Sequence, residues 1–155
     1  MKNLEDLIST YEDFPKEGIS FKDILGITQD PVVFKKLISS MSSSQIVKNS
    51  DAIVSIDARG FIFGSAISFL SSKPMIVARK PGKLPGELVK MSYSLEYGEN
   101  FLTIQKKALE KFDSYAIVDD LLATGGTVEC VANLLKTNDK EVVGLLTVVE
   151  LSALS

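Results

Sequence analysis

Residues 116–127, AIVDDLLATGGT, carry the densest chemistry in the chain. An apolar strand delivers two adjacent carboxylates, Asp119 and Asp120, ahead of a Thr- and Gly-rich segment that opens a helix. The backbone amides of Ala123, Thr124, Gly125, Gly126 and Thr127, with the two threonine hydroxyls, can surround a phosphate. A helix N-terminus favours such an anion by about 0.3–1 kcal/mol per charge at an exposed site. The glycines permit close approach and positive φ. No Lys-Ser/Thr pair follows them, so this is not a Walker A loop. Two acids immediately before a phosphate cradle suit a sugar phosphate, because carboxylates accept hydrogen bonds from vicinal hydroxyls. The plainer alternative is a strand–turn–helix junction with capping acids.

Composition narrows what else the chain can do. Its 155 residues include no histidine, which excludes Ser–His–Asp and Cys–His nucleophiles, HExxH zinc sites and a histidine base. Cys130 is the only cysteine, so intrachain disulfides and cysteine-rich metal sites are excluded too. With 17 basic and 20 acidic residues the net charge is −3, which argues against a nucleic-acid partner. No stretch approaches the roughly 18 apolar residues of a membrane span. The acidic start MKNLEDLISTYEDF is unlike a secretory signal. A lone cysteine without an export signal leads us to expect a cytoplasmic protein.

The elements that must position these residues follow from hydrophobic spacing. Leu4, Leu7, Ile8 and Tyr11 predict a short amphipathic helix. FPKEGISFKDI reads as a loop anchored by Phe14, Ile19 and Phe21. Asp30-Pro31 is a helix start, with Phe34, Leu37, Ile38 and Met41 on one face, and the serines of 39–44 read as a frayed end. Ala52–Ile56, Met75–Arg79, Tyr115–Val118 and the closing EVVGLLTVVEL are apolar strands, and helices follow DARG and TGGT. This pattern predicts an α/β fold, a central mostly parallel sheet flanked by helices, in a single domain over 1–155. In such sheets ligands bind at the carboxyl ends of strands, where DARG, RKPG and DDLLATGGT all fall.

The DDxxATGGT block resembles the phosphoribosyl-pyrophosphate (PRPP) site of type I phosphoribosyltransferases. Three further blocks, FPKEGISFKDI, DARGFIFG (57–64) and RKPGKLPGELVKMSYSLEYG (79–98), narrow the resemblance to the adenine phosphoribosyltransferases. Together they span nearly the whole chain. The resemblance implies purine salvage: transfer of the 5-phosphoribosyl group of PRPP to adenine, giving AMP and pyrophosphate. It implies Mg²⁺ carried mainly by PRPP, no protein metal cage, and a homodimer. Asp119 and Asp120 would hold the ribose and favour positive charge developing on it. Arg59 of DARG, with Arg79, Lys80 and Lys83, would neutralise pyrophosphate. The segment of about 80–98 corresponds to a flexible hood that closes over the reacting centre, bringing Glu96 as the proton-exchanging carboxylate at adenine N7 and Tyr97 beside it. Phe21 and Leu151 match the pair that sandwiches the base. The same chemistry on another nucleobase, or a PRPP-sensing regulator, are the alternatives.

Two departures from the family pattern stand out. Lys22 occupies the place of an arginine, replacing a planar fork by a point charge. The chain also ends at Ser155, about two short elements before the expected family length.

Overall fold

The computed structural model describes residues 2–95 and 98–151. The chain divides into two compact units, residues 1–40 and 41–155, with the boundary inside one helix.

In the first unit, Leu4–Leu7 form a single 3₁₀ turn whose entry is held by the Asn3 amide donating to the Asp6 carboxylate at 2.9 Å. The amphipathic helix expected through Tyr11 is absent. Ser9–Tyr11 is instead strand β1, antiparallel to β2 (Phe21–Asp23) with Thr10 opposite Lys22. A helix of two turns is marginal in water, and β-branched Ile8 and Thr10 disfavour it further, so strand pairing wins. Lys22 Nζ donates to Thr10 Oγ1 at 2.7 Å across that pair. Phe14 and Phe21 meet edge to face, centroids 5.1 Å apart, while Phe14 and Ile19 stay largely exposed. Helix α1 (Pro31–Ser42) starts as expected: Asp30 Oδ1 accepts from the Val32 and Val33 amides, each at 3.1 Å. Val33, Ile38 and Met41 form its buried stripe.

The second unit holds the central sheet. Ser44 caps α2 (Gln45–Lys48), so the serine run is a helix end and a cap rather than fraying throughout. There follow β3 (Ala52–Ile56), α3 (Gly60–Ser71), β4 (Met75–Ala78), the antiparallel strands β5 (Leu88–Leu95) and β6 (Gly98–Gln105), α4 (Lys106–Leu109), β7 (Ser114–Leu122), α5 (Gly126–Thr137) and β8 (Glu141–Glu150). The sheet runs β4-β3-β7-β8, parallel throughout. From β3 the chain moves to β4 on one side, then returns to place β7 on the other. The order therefore reverses between β3 and β7, and a crevice at their carboxyl ends is where such folds bind ligands.

The hood segment is more regular than a loop. Residues 88–95 and 98–105 pair as a two-stranded ribbon in continuous register, in which Val89, Met91 and Tyr93 pack on the core while Lys90, Ser92 and Ser94 face outward. That period of two was hidden in the sequence by the glycines and prolines of 81–86 just before it. The ribbon is rooted on the body by Arg79, whose amide and carbonyl both bond to the Thr103 backbone.

Helix α3 lies close on β3. Ser55 Oγ, fully buried, donates to the Gly60 carbonyl at 2.7 Å. A Cβ on Gly64 would overlap that same hydroxyl oxygen. Gly64→Ala should therefore lose about 1–3 kcal/mol of stability, as overpacking does, and urea unfolding measures it. An unchanged midpoint would mean that α3 can move off the sheet freely.

Candidate functional site

Asp119 and Asp120 are both buried, 8% and 6% exposed, at the end of the innermost strand pair. They belong to β7 itself, not to the loop after it, because pairing with β8 carries the strand on to Leu122 opposite Glu150. Sequence reading ended the strand at Val118, since the acids break the apolar run. Asp119 Oδ1 accepts the Asp120 amide at 2.8 Å. The Asp120 carboxylate meets Arg59: Nε lies 2.7 Å from Oδ2. This is an ion pair rather than an aligned hydrogen bond, for Oδ2 accepts none among the described residues.

Arg59 reaches this position because α3 begins against β7. A Cβ on Gly60 would stand 3.1 Å from Asp119 Oδ1 and 3.3 Å from the Val118 carbonyl, so glycine allows the DARG turn to approach the acids. The Asp57–Ala58 peptide in this turn is cis. Asp57 Oδ2 accepts from Arg79 Nε at 2.9 Å, and the Arg79 guanidinium lies 5.7 Å from the Phe61 ring centre. Sequence reading assigned no role to Asp57, although an acid two residues before a turn arginine was a signal. Lys80 and Lys83 are exposed, and neither makes an ion pair among the described residues.

Beside the acids, Leu122 to Val128 wrap a small pocket of about 90 Å³ that Asp119 also lines. Gly125, φ +86°, turns the chain into α5, and no side chain caps that helix. The first amides of an α-helix have no intrahelical acceptor, so those of Gly126, Thr127 and Val128 are available to an anion. Asp119 and Asp120 with the Ala123–Thr127 cradle and Arg59 are thus brought together as expected.

The other assigned residues are placed by their own units. Phe21 and Lys22 lie on β2 of the first unit, where Tyr11, Phe14 and Phe21 line a largely apolar pocket of about 210 Å³. Leu151 follows β8 in the second, half-buried, with its amide donating to the Leu122 carbonyl at 2.8 Å. Glu96 and Tyr97 lie outside the described residues.

A parallel sheet whose switch point carries the DARG turn and the TGGT turn on either side of an acid pair is the architecture of a type I phosphoribosyltransferase. The phosphoribosyl transferase domain family matches residues 29–153. The adenine phosphoribosyltransferase of Prochlorococcus marinus (strain MIT 9515) is 72% identical over 97% of this chain and 88% of its own length. Among solved structures, that of the adenine phosphoribosyltransferase from Thermoanaerobacter pseudethanolicus is 37% identical with a TM-score of 0.89, covering 98% of this chain and 88% of the other. The Saccharomyces cerevisiae enzyme, solved with adenine and an imino-altritol bisphosphate, is 34% identical with a TM-score of 0.84 over 97% and 88%. The chain belongs to the adenine phosphoribosyltransferase family. No helix among the described residues is long and apolar enough to cross a membrane.

Burial first, then the side-chain hydrogen bond with Asp120 and that residue's charge, push the Asp119 carboxyl up to about 8, against the downward pull of the Asp120 amide and of Arg59. The folded, ligand-free protein then holds a proton that the unfolded chain loses at its ordinary value of 3.8. Between those values the native state binds more protons, so stability falls as pH rises through the window. Melting temperature between about pH 5 and 8 should fall more steeply for the wild type than for Asp119→Asn, which has no carboxyl to ionise. Parallel curves would show Asp119 ionised in the fold throughout.

Proposed function

We infer that this chain transfers the 5-phosphoribosyl group of PRPP to adenine, releasing pyrophosphate and forming AMP, as a purine-salvage enzyme. The observation that carries the reading is the acid pair of β7 flanked by the empty-handed amides of α5 and by Arg59 at 2.7 Å. The adenine specificity rests on the relatives, whose names give that base, and on the adenine in the yeast enzyme's structure.

In the reaction the C1′–O bond to pyrophosphate breaks and the bond from adenine N9 to C1′ forms. Positive charge develops on the ribose as the leaving group departs. Asp119 and Asp120 accept hydrogen bonds from the ribose hydroxyls and favour that charge. Ala123–Thr127 hold the 5′-phosphate, and the resulting fixed position is itself catalytic, because it turns collision into alignment. Arg59, with Arg79, Lys80 and Lys83, takes the negative charge accumulating on pyrophosphate. Phe21 and Leu151 hold the adenine ring, with Lys22 and Tyr97 as further substrate contacts, and Glu96 exchanges the proton at N7.

Mg²⁺ enters as part of the substrate. The described residues offer no cluster of three or more acidic or cysteine ligands, and the two buried carboxylates of β7 suit one or two contacts to a cation whose other ligands are PRPP oxygens and water. Mg²⁺ held by these carboxylates would supply charge neutralisation to the diphosphate of PRPP. We propose a homodimer working in the cytoplasm, with the exposed Lys80 and Lys83 serving a site shared with the second copy.

Purified protein supplied with PRPP, Mg²⁺ and adenine, hypoxanthine, guanine or orotate should release pyrophosphate with adenine alone. Turnover on another base would retain the PRPP site and remove the adenine assignment. Asp120→Asn should lower kcat by about 100-fold or more, the scale of a lost electrostatic stabiliser, while its urea midpoint stays near the wild type. An unchanged kcat would end the role of Asp120.

A further inference from the structure

Arg79 sits at the junction of three segments, and nothing in its sequence position foretells how it is held. Its carbonyl accepts twice from Thr103 of the ribbon, from the amide at 2.7 Å and from Oγ1 at 2.8 Å. Its amide donates back to the Thr103 carbonyl at 3.0 Å. Its side chain donates to Asp57 at 2.9 Å and lies over Phe61. Thr103 is 2% exposed on a strand whose neighbours Leu102 and Ile104 are core residues. A buried hydroxyl at such a position is retained only with a partner, and its partner is this one carbonyl.

These contacts form a continuous path: β6, then Arg79, then Asp57, then two residues along the DARG turn to Arg59, and from Arg59 to Asp120. The ribbon that leads to Glu96 is thereby joined to the turn that grips the leaving group, and that turn to the acid pair. We propose that Thr103 and Asp57 are positioning residues for PRPP. Thr103 sets the backbone at the root of the basic 79–83 segment, and Asp57 sets the direction of the Arg79 guanidinium and, through it, the DARG turn. The proposal rests on the reading that this crevice binds PRPP. It assigns Asp57 to Arg79, and not to a ligand.

Both residues act on the pyrophosphate half of the site, so their loss is read in PRPP and spares the base. Steady-state kinetics with each substrate varied, together with calorimetric binding of inorganic pyrophosphate, separates this from a general structural effect. Asp57→Asn should raise KM for PRPP about tenfold, the scale of one charge-assisted hydrogen bond, weaken pyrophosphate binding by a similar factor, and leave KM for adenine unchanged. Arg79→Gln should do at least as much, and the double variant no more than Arg79→Gln alone, since one interaction cannot be lost twice. Thr103→Val, which keeps the shape and removes the hydroxyl, should show the same PRPP-selective defect, and Thr103→Ser should restore wild-type values.

Multiplying effects in the Asp57/Arg79 double variant, or a wild-type KM for PRPP in Asp57→Asn, would overturn the proposal. If Thr103→Val does not fold, the Asp57/Arg79 cycle decides alone. Wild-type protein without turnover on adenine and PRPP, or without pyrophosphate binding, would instead strike the functional reading beneath it.

Discussion

Two carboxyl groups side by side at the buried end of a central strand are the constraint from which the site follows. Neither desolvation nor mutual repulsion lets both ionise without help. The fold treats them differently. Asp120 has the Arg59 guanidinium at 2.7 Å, whereas Asp119 accepts the Asp120 amide and is pushed by burial toward its protonated form. That asymmetry forces α3 to begin close to β7, because Arg59 must arrive at the acids. Close approach in turn requires a residue without a side chain at 60, and the same helix seating requires one at 64, over the buried Ser55 hydroxyl. The glycines of the DARGFIFG block are thus consequences of where the charges are.

The strand order supplies the space for this arrangement. Connections leave β3 and β7 in opposite directions, so the loops after them diverge and leave an opening between. One loop brings a cation and the other brings backbone amides, which is the division a sugar carrying phosphate at both ends requires. Pairing with β8 up to Glu150 stiffens β7 beyond its acids. The carboxylates consequently sit on hydrogen-bonded strand and not on a mobile loop, and their distance from the cradle is set by the sheet.

Much of this was legible in the residues. The all-buried β3 announces itself by AIVSI, the turn into α5 by TGGT after an apolar strand, and the start of α1 by Asp30-Pro31, each a local signal read by local rules. The failures were also physical. Leu4 to Tyr11 has helical spacing, yet pairing of Thr10 with Lys22 is a non-local gain that spacing does not contain. The strands of 88–95 and 98–105 alternate properly, with Tyr93 on the core side and Ser92 and Ser94 outward, but the preceding glycines suggested a loop. Thr103 gave no signal at all, because a lone hydroxyl in an apolar strand has meaning only once its partner is known. Arg79 is expected from the sequence to be a cation near phosphate, while its attachment to Asp57, 22 residues earlier in the chain, becomes visible only in three dimensions.

That attachment changes how the positive charge of the crevice is understood. Both arginines assigned to pyrophosphate already face a carboxylate, Arg59 with Asp120 and Arg79 with Asp57. An anion of single charge that displaced one carboxylate would exchange one pair for another and leave an acid uncompensated, so it gains little. A diphosphate offers several oxygens and more than one charge. It can add contacts to a guanidinium that its carboxylate continues to hold at Nε. The exposed Lys80 and Lys83 add attraction without any prior partner among the described residues to surrender. Internal pairing therefore fixes the direction of both guanidiniums within the fold, and on the reading that this crevice binds PRPP it favours a ligand as highly charged as that substrate's pyrophosphate end over a singly charged anion.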